Sequence, residues 1–127
     1  MTSKPDADPL IGLVGPCKSG KTALQRNLSH KGYRVKHIAQ EHSYVKDMWE
    51  KIGKPDILTF LDASYATTLK RSSLSWTEKE YQVQLDRLAH AREKSDLIID
   101  TNDLSREEVF LEAFDYLIKW PDRNSNP

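Results

Sequence analysis

The eight residues Gly15-Pro16-Cys17-Lys18-Ser19-Gly20-Lys21-Thr22 constrain this chain more than any other stretch. They spell G-x-x-x-x-G-K-T, a phosphate-binding loop pattern whose chemistry requires a strand before it and a helix after it. Both flanks are present: the apolar run Leu10-Ile11-Gly12-Leu13-Val14 precedes the loop, and a helix-like run from Ala23 to Lys31 follows. Gly15 and Gly20 let the backbone turn tightly and approach a phosphate chain without a Cβ in the way. The amides from Lys18 through Ser19 to Ala23 then point inward as an anion nest, with Cys17 in a free position of the pattern. The helix start adds unpaired N–H groups and a positive dipole end. Lys21 supplies an ammonium for the β- and γ-phosphates. Thr22 supplies a hydroxyl for Mg²⁺, a hard cation that prefers oxygen. The plain alternative is an ordinary glycine-containing turn.

The rest of the chain alternates strand and helix signals. The loop helix shows Leu24 and Leu28 on one face, and Gly32 stands where a left-handed residue would end it. Tyr33 to Ile38 reads as a strand with interleaved charges, which places it at a sheet edge. The other three strands, Leu10–Val14, Ile57–Asp62 and Asp96–Asp100, are more continuously apolar, as buried parallel strands are. Ser43 is positioned to cap a short helix with Val45, Met48, Trp49 and Ile52 at helical spacing and Gly53 as its stop. Ser64 opens a helix to about Ser72. Thr77-x-x-Glu80 and Ser105-x-x-Glu108 are capping boxes for two more helices. The first carries Tyr81, Leu85 and Leu88 inward. The second carries Val109, Phe110, Ala113, Phe114 and Leu117.

This order predicts a single three-layer α/β/α sandwich with a mostly parallel sheet of about four strands. Residues 10–120 form the domain, 1–9 a polar lead-in, and 121–127 a polar tail frayed from Pro121. Ligands of such sheets bind beyond the carboxyl ends of the strands. That places weight on the loop, on Glu41 and His42, on Asp62, and on the segment from Thr101 to Leu104.

Composition narrows the function classes. Lys plus Arg and Asp plus Glu are 19 each, so no basic excess points to nucleic acid. No apolar stretch reaches membrane length. The lead-in lacks the apolar core of a signal peptide, and a single cysteine excludes an internal disulfide framework. Together these predict a cytoplasmic protein. A chain of 127 residues also has reason to extend its core through a homodimer.

The sequence from the loop through Pro55-Asp56-Ile57-Leu58-Thr59-Phe60-Leu61-Asp62-Ala63-Ser64, Lys70-Arg71, Arg87, Arg92 and Ser95-Asp96-Leu97-Ile98-Ile99-Asp100-Thr101 resembles the small P-loop kinases. These are the shikimate, cytidylate and related nucleotide kinases of the P-loop NTPase superfamily. The resemblance implies ATP with Mg²⁺ and a small phosphoryl acceptor. It matches Lys21 and Thr22 to the phosphate lysine and the metal hydroxyl, and Arg71 to the arginine that lies over the adenine. Thr101, Asn102 and Leu104 fall in the loop that closes on the other face of the base. Arg87 matches the helix arginine that meets an anionic acceptor. Three departures stand out. Only the short segment Ser43 to Gly53 occupies the place of the acceptor-binding insertion, no Asp-Arg pair follows the second strand, and the lid-like stretch Ser72 to Trp76 carries no arginine. Either the acceptor is small and sits on Glu41, His42 and Trp49, or there is none.

Asp62, at the end of an apolar strand, is a candidate Mg²⁺ partner through water, or simply a favourable acid at a helix start. Asp100 has the same ambiguity, and a structural role is favoured there. Glu41 and His42 are candidate general bases for an acceptor hydroxyl, or two polar residues of an exposed turn. His30, His37 and His90 show no metal-ligand spacing. Trp49 and Trp76 read as packing residues, with Trp76 the better candidate for a lid contact. The absence of an Asn-Lys-x-Asp pattern favours adenine over guanine. Two functions follow: an ATP- and Mg²⁺-dependent kinase-like phosphotransferase acting on a small acceptor, or a nucleotide-binding regulatory module with little catalysis.

Overall fold

The computed structural model describes residues 9–72 and 75–125. Most of the lead-in, residues 73–74 of the lid-like stretch and the end of the tail lie outside the described residues. The chain forms strands β1 (Leu10–Val14), β2 (Arg34–His37), β3 (Ile57–Asp62) and β4 (Leu97–Asp100). Its α-helices are α1 (Lys21–His30), α2 (Tyr65–Arg71), α3 (Glu78–Lys94) and α4 (Arg106–Ser125). All strand pairings are parallel and the order is β2-β1-β3-β4. The expected α/β architecture with a parallel four-stranded sheet is therefore present.

Alternation along the strands divides the interior into two cores. Ile11 and Leu13 of β1, with Ile57 and Leu61 of β3, face Leu24 and Leu28 of α1 and Val109, Ala113 and Leu117 of α4. Val14, Leu58 and Phe60 point the other way, against Leu88 and Ala91 of α3 and against Trp49. Period-2 side chains make this split unavoidable once helices cover both faces. The helix ends follow their local signals. Gly32, at φ 91°, ends α1 with Gly32 N–H donating to Ser29 O and Tyr33 N–H to Leu28 O, a Schellman pair. Thr77 and Glu80 close a reciprocal capping box on α3, and Ser105 and Glu108 do the same at α4.

Two expectations need correction. β4 is not a buried strand: it is the outer strand beyond β3, with Ile98 exposed and Ile99 its one buried residue. Having a neighbour on one side only, it shields fewer residues than β1 and β3. The segment after β2 is not one helix from Ser43. It is a 3₁₀ turn at Gln40–His42 and a π-helical turn at Trp49–Gly53. The Ser43 hydroxyl is occupied by the Val45 amide, so it closes a local turn, and Val45 and Ile52 are exposed. α4 runs on through Pro121 to Ser125, into the stretch read as a polar tail.

Candidate functional site

The loop between β1 and α1 has the backbone its glycines permit. Lys18 at φ 65° and Gly20 at φ 110° are left-handed. A Cβ on Gly15 would lie 2.4 Å from Leu61 O, so only glycine lets this turn pass β3. A Cβ on Gly20 would meet nothing within 4 Å, so this residue borders open space above the helix start. The first amides of α1, at Lys21, Thr22 and Ala23, precede the helix ladder and have no acceptor in it.

Lys21 is folded back under the loop. Its ammonium donates to Gly15 O, to Pro16 O at 3.1 Å and to Glu41 Oε2 at 3.0 Å. Lys21 and Glu41 are each 5% exposed. Glu41 comes from the 3₁₀ turn after β2, and β2 is hydrogen-bonded directly to β1, so the edge strand delivers a carboxylate to the loop lysine. Two buried side-chain polar atoms have no partner among the described residues: Ser19 Oγ and Glu41 Oε1. Both lie at the loop. Orphaned buried polar atoms cost about 1–3 kcal/mol each, so their position at one site is informative.

The opposite wall is built by Arg71 and Thr101. The Arg71 guanidinium, at the end of α2, donates to Lys18 O at 3.1 Å, Ser19 O at 3.3 Å, Thr101 Oγ1 at 3.1 Å and Thr101 O. Desolvation lowers its pKa from the usual arginine value. Thr101, just past β4, is buried and donates its hydroxyl to Ser19 O or Asp62 O, each at 3.0 Å. A cavity of about 570 Å³ is lined by Cys17 through Leu24, His37, Glu41, Arg71, Thr101, Leu104, Arg106 and Val109. It lies beyond the carboxyl ends of β1, β2 and β4, where parallel sheets place ligands.

Of the residues singled out from sequence, Cys17, Lys18, Ser19, Gly20, Lys21, Thr22, Ala23, Glu41, Arg71, Thr101 and Leu104 line this one cavity. Gly15 lies beneath it, its carbonyl holding Lys21. Others are engaged elsewhere. Asp62 pairs with Arg92 at 3.2 Å and lines a separate depression with Phe60 and Ile98. Arg87 stacks on Tyr44, 4.6 Å from the ring centroid, and donates to Glu41 O at 3.3 Å, so it fixes the turn that carries Glu41. Asn102 accepts from Ser64 N–H, and its own amides are turned onto Asp100. Asp100 thus serves a local turn, accepting both amides of Asn102, rather than the helix start weighed for it. His42 is exposed, with Nε2 3.8 Å from Cys17 Sγ and 3.8 Å from Glu41 Oε2.

Trp49 and Trp76 pack as expected, but Trp76 does so away from the cavity. Trp49 is buried, donates to His90 Nδ1 at 3.0 Å and does not line this cavity. Trp76 sits against Tyr65 and Tyr81 and donates to Thr68 Oγ1 at 3.1 Å.

Two contributors escaped the sequence reading. His37 ends β2 on the cavity wall, where partial burial and then the Lys21 charge lower its pKa; nearby Glu41 opposes them. Its place at the carboxyl end of a strand was the available signal. Gln84 is buried on α3 and holds Cys17 twice, accepting from Cys17 N–H at 3.0 Å and donating to Cys17 Sγ at 3.1 Å. A lone amide on the stripe of Tyr81, Leu88 and Ala91 was its signal.

No protein-family model and no curated protein matches this chain. Among the described residues, no helix is long and apolar enough to cross a membrane.

Proposed function

We propose that this chain is a P-loop protein that binds a nucleoside triphosphate with Mg²⁺, ATP by preference, and acts as a nucleotide-binding module more than as a kinase. The observation that carries the reading is the coincidence of the loop pattern with the two orphaned buried atoms, Ser19 Oγ and Glu41 Oε1, at one cavity. A phosphate chain and its hydrated cation supply what such atoms lack.

The residues present fit Mg²⁺. Thr22 offers a hydroxyl and Glu41 a carboxylate, both hard oxygen donors, and the open side of Gly20 leaves room above the first amides of α1. Bound Mg²⁺ would neutralise charge on the β- and γ-phosphates. Glu41 takes the role first given to Asp62, since Asp62 is paired with Arg92 outside the cavity. On phosphate arrival Lys21 exchanges its loop carbonyls for phosphate oxygens. Arg71, with Thr101 and Leu104, forms the wall for the base, the guanidinium offering a flat face. The module reading over the kinase reading rests on the acceptor side. Trp49 is buried against His90 and does not line the cavity, Arg87 is bonded to the Glu41 backbone, and the lid stretch has no arginine.

One observation favours phosphotransfer as a second reading. Glu41 and His37 line the same cavity as Lys21, so a small hydroxyl acceptor there would meet a base. Calorimetry with ATP and Mg²⁺ tests the first reading: binding heat in the wild type that vanishes in Lys21→Ala is expected. No heat in the wild type, or equal heats in both, overturns it. ADP release that rises strongly with one added metabolite would move the assignment to the second reading.

A further inference from the structure

Three side chains that the nucleotide reading does not use together converge beside the loop. Cys17 Sγ, His42 Nε2 and a Glu41 carboxylate oxygen lie within 4.8 Å of one another. We propose that Cys17, Glu41 and His42 form a binding site for one thiophilic divalent cation, zinc by its donor set, with a fourth position open to solvent.

The geometry is close to what such an ion needs. Zinc bonds of about 2.3 Å to sulfur and about 2.0 Å to nitrogen place those two ligand atoms roughly 3.5 Å apart in a tetrahedron. Here Cys17 Sγ and His42 Nε2 are 3.8 Å apart, and the Glu41 carboxylate approaches His42 Nε2 to 3.8 Å through Oε2, with the three ligand atoms within 4.8 Å of one another. A contraction of a few tenths of an ångström closes the sulfur–nitrogen pair, and a larger shift of the carboxylate brings in its free oxygen. One thiol, one imidazole and one carboxylate, with an open fourth position, is a zinc-type combination rather than a magnesium one.

Two further observations point to a ligand. Glu41 is buried, and its Oε1 has no hydrogen-bond partner while Oε2 is held by Lys21, so in the nucleotide-free chain the oxygen that the Mg²⁺ reading uses is open to this ion instead. Cys17 is also held more firmly than a free position of the loop pattern requires. Gln84, itself buried, accepts from its backbone amide and donates to its sulfur. An N–H donor on sulfur is an outer-shell contact that orients a metal thiolate and supports its charge. Arg87 does the same for the Glu41 turn through the Glu41 carbonyl. Binding converts the Cys17 thiol to a thiolate and releases its proton to solvent, while His42 binds through its neutral ring. His42 is exposed, so it can turn onto the ion without disturbing either core.

Cobalt(II) is the probe, added alone to the full chain kept reduced. The wild type is expected to take up one equivalent, with a sulfur-to-cobalt charge-transfer band and the visible absorption of a tetrahedral site, both bleached by zinc. The chain has a single cysteine, so the charge-transfer band reports Cys17 alone. His42→Ala should weaken cobalt binding by about tenfold or more, the scale on which even outer-shell partners act. Glu41→Gln should do the same, but it also disturbs the Lys21 pair, so the exposed His42 is the decisive variant. Absence of the band at one equivalent, or unchanged affinity in His42→Ala, overturns the site. No nucleotide enters the experiment, so its outcome is independent of triphosphate binding.

Discussion

Lys21 Nζ and Glu41 Oε2 lie 3.0 Å apart in a setting where both residues are almost wholly buried. The ammonium belongs to the first turn of α1 and the carboxylate to the turn after β2, so the pair ties the edge strand to the loop. Removing one partner of a buried ion pair strands the other, at about 3–5 kcal/mol. Glu41→Leu should therefore lower stability by a value in that range. The double variant Lys21→Met with Glu41→Leu should recover more than half of the loss. Urea unfolding of the two single variants, the double variant and the wild type measures the coupling.

Gly15 and Gly20 should fail differently. Gly15→Ala puts a methyl against Leu61 O and must part the loop from β3, so a folding defect is expected. Gly20→Ala meets no atom and bears only the left-handed backbone cost, about 1–2 kcal/mol. It should remain folded yet lose most ATP binding, because its methyl stands in the proposed phosphate space. Circular dichroism paired with calorimetry separates the two outcomes.

Arg71 holds the loop by its carbonyls, so its loss should be felt in both stability and affinity. Hydrogen bonds from a charged donor contribute about 1.5–3 kcal/mol, and Arg71→Ala is expected to destabilise by that order. Arg71→Lys keeps the charge but not the planar fork, and should restore less than half of the ATP affinity lost in Arg71→Ala. Thermal melts and ATP titrations of the two variants check this.

His37 gives the site a pH dependence with a definite sign. Its folded pKa is lowered, first by burial and then by Lys21. Between that value and its ordinary unfolded value of about 6.5, the unfolded chain binds more protons than the folded chain. Its contribution to stability is therefore full above the unfolded value and is lost as pH falls through the folded one. Urea midpoints from about pH 7.5 down to pH 5 should fall less steeply in His37→Gln than in the wild type. ATP should oppose the shift, since phosphate beside the ring favours its protonated form.

The strand–helix alternation, the edge position of β2, the capping boxes at Thr77 and Ser105 and the C-terminal glycine of α1 were all legible in the sequence. Each is a local signal acting over a few residues. The wall from Arg71 to Thr101 was legible only through resemblance, because nothing local says that an arginine ending α2 will meet the end of β4. The identity of the loop carboxylate was not legible. Asp62 ends β3 and Glu41 lies in the turn after β2, and the choice depends on which of these segments turns toward the lysine. The Cys17–Gln84 contact spans 67 residues and was equally invisible. Ser43 misled for a plain reason: its hydroxyl serves a turn as readily as a helix start.

The Thr101 hydroxyl donates to a carbonyl 82 residues earlier, at Ser19, and Arg71 fastens the same two segments together. The loop leaves a ribosome 82 residues ahead of Thr101, its buttress. A nascent chain stopped before β4 would contain every letter of the phosphate motif yet lack the brace that shapes it. Competence to hold a ligand would then arrive all at once, when β4 docks.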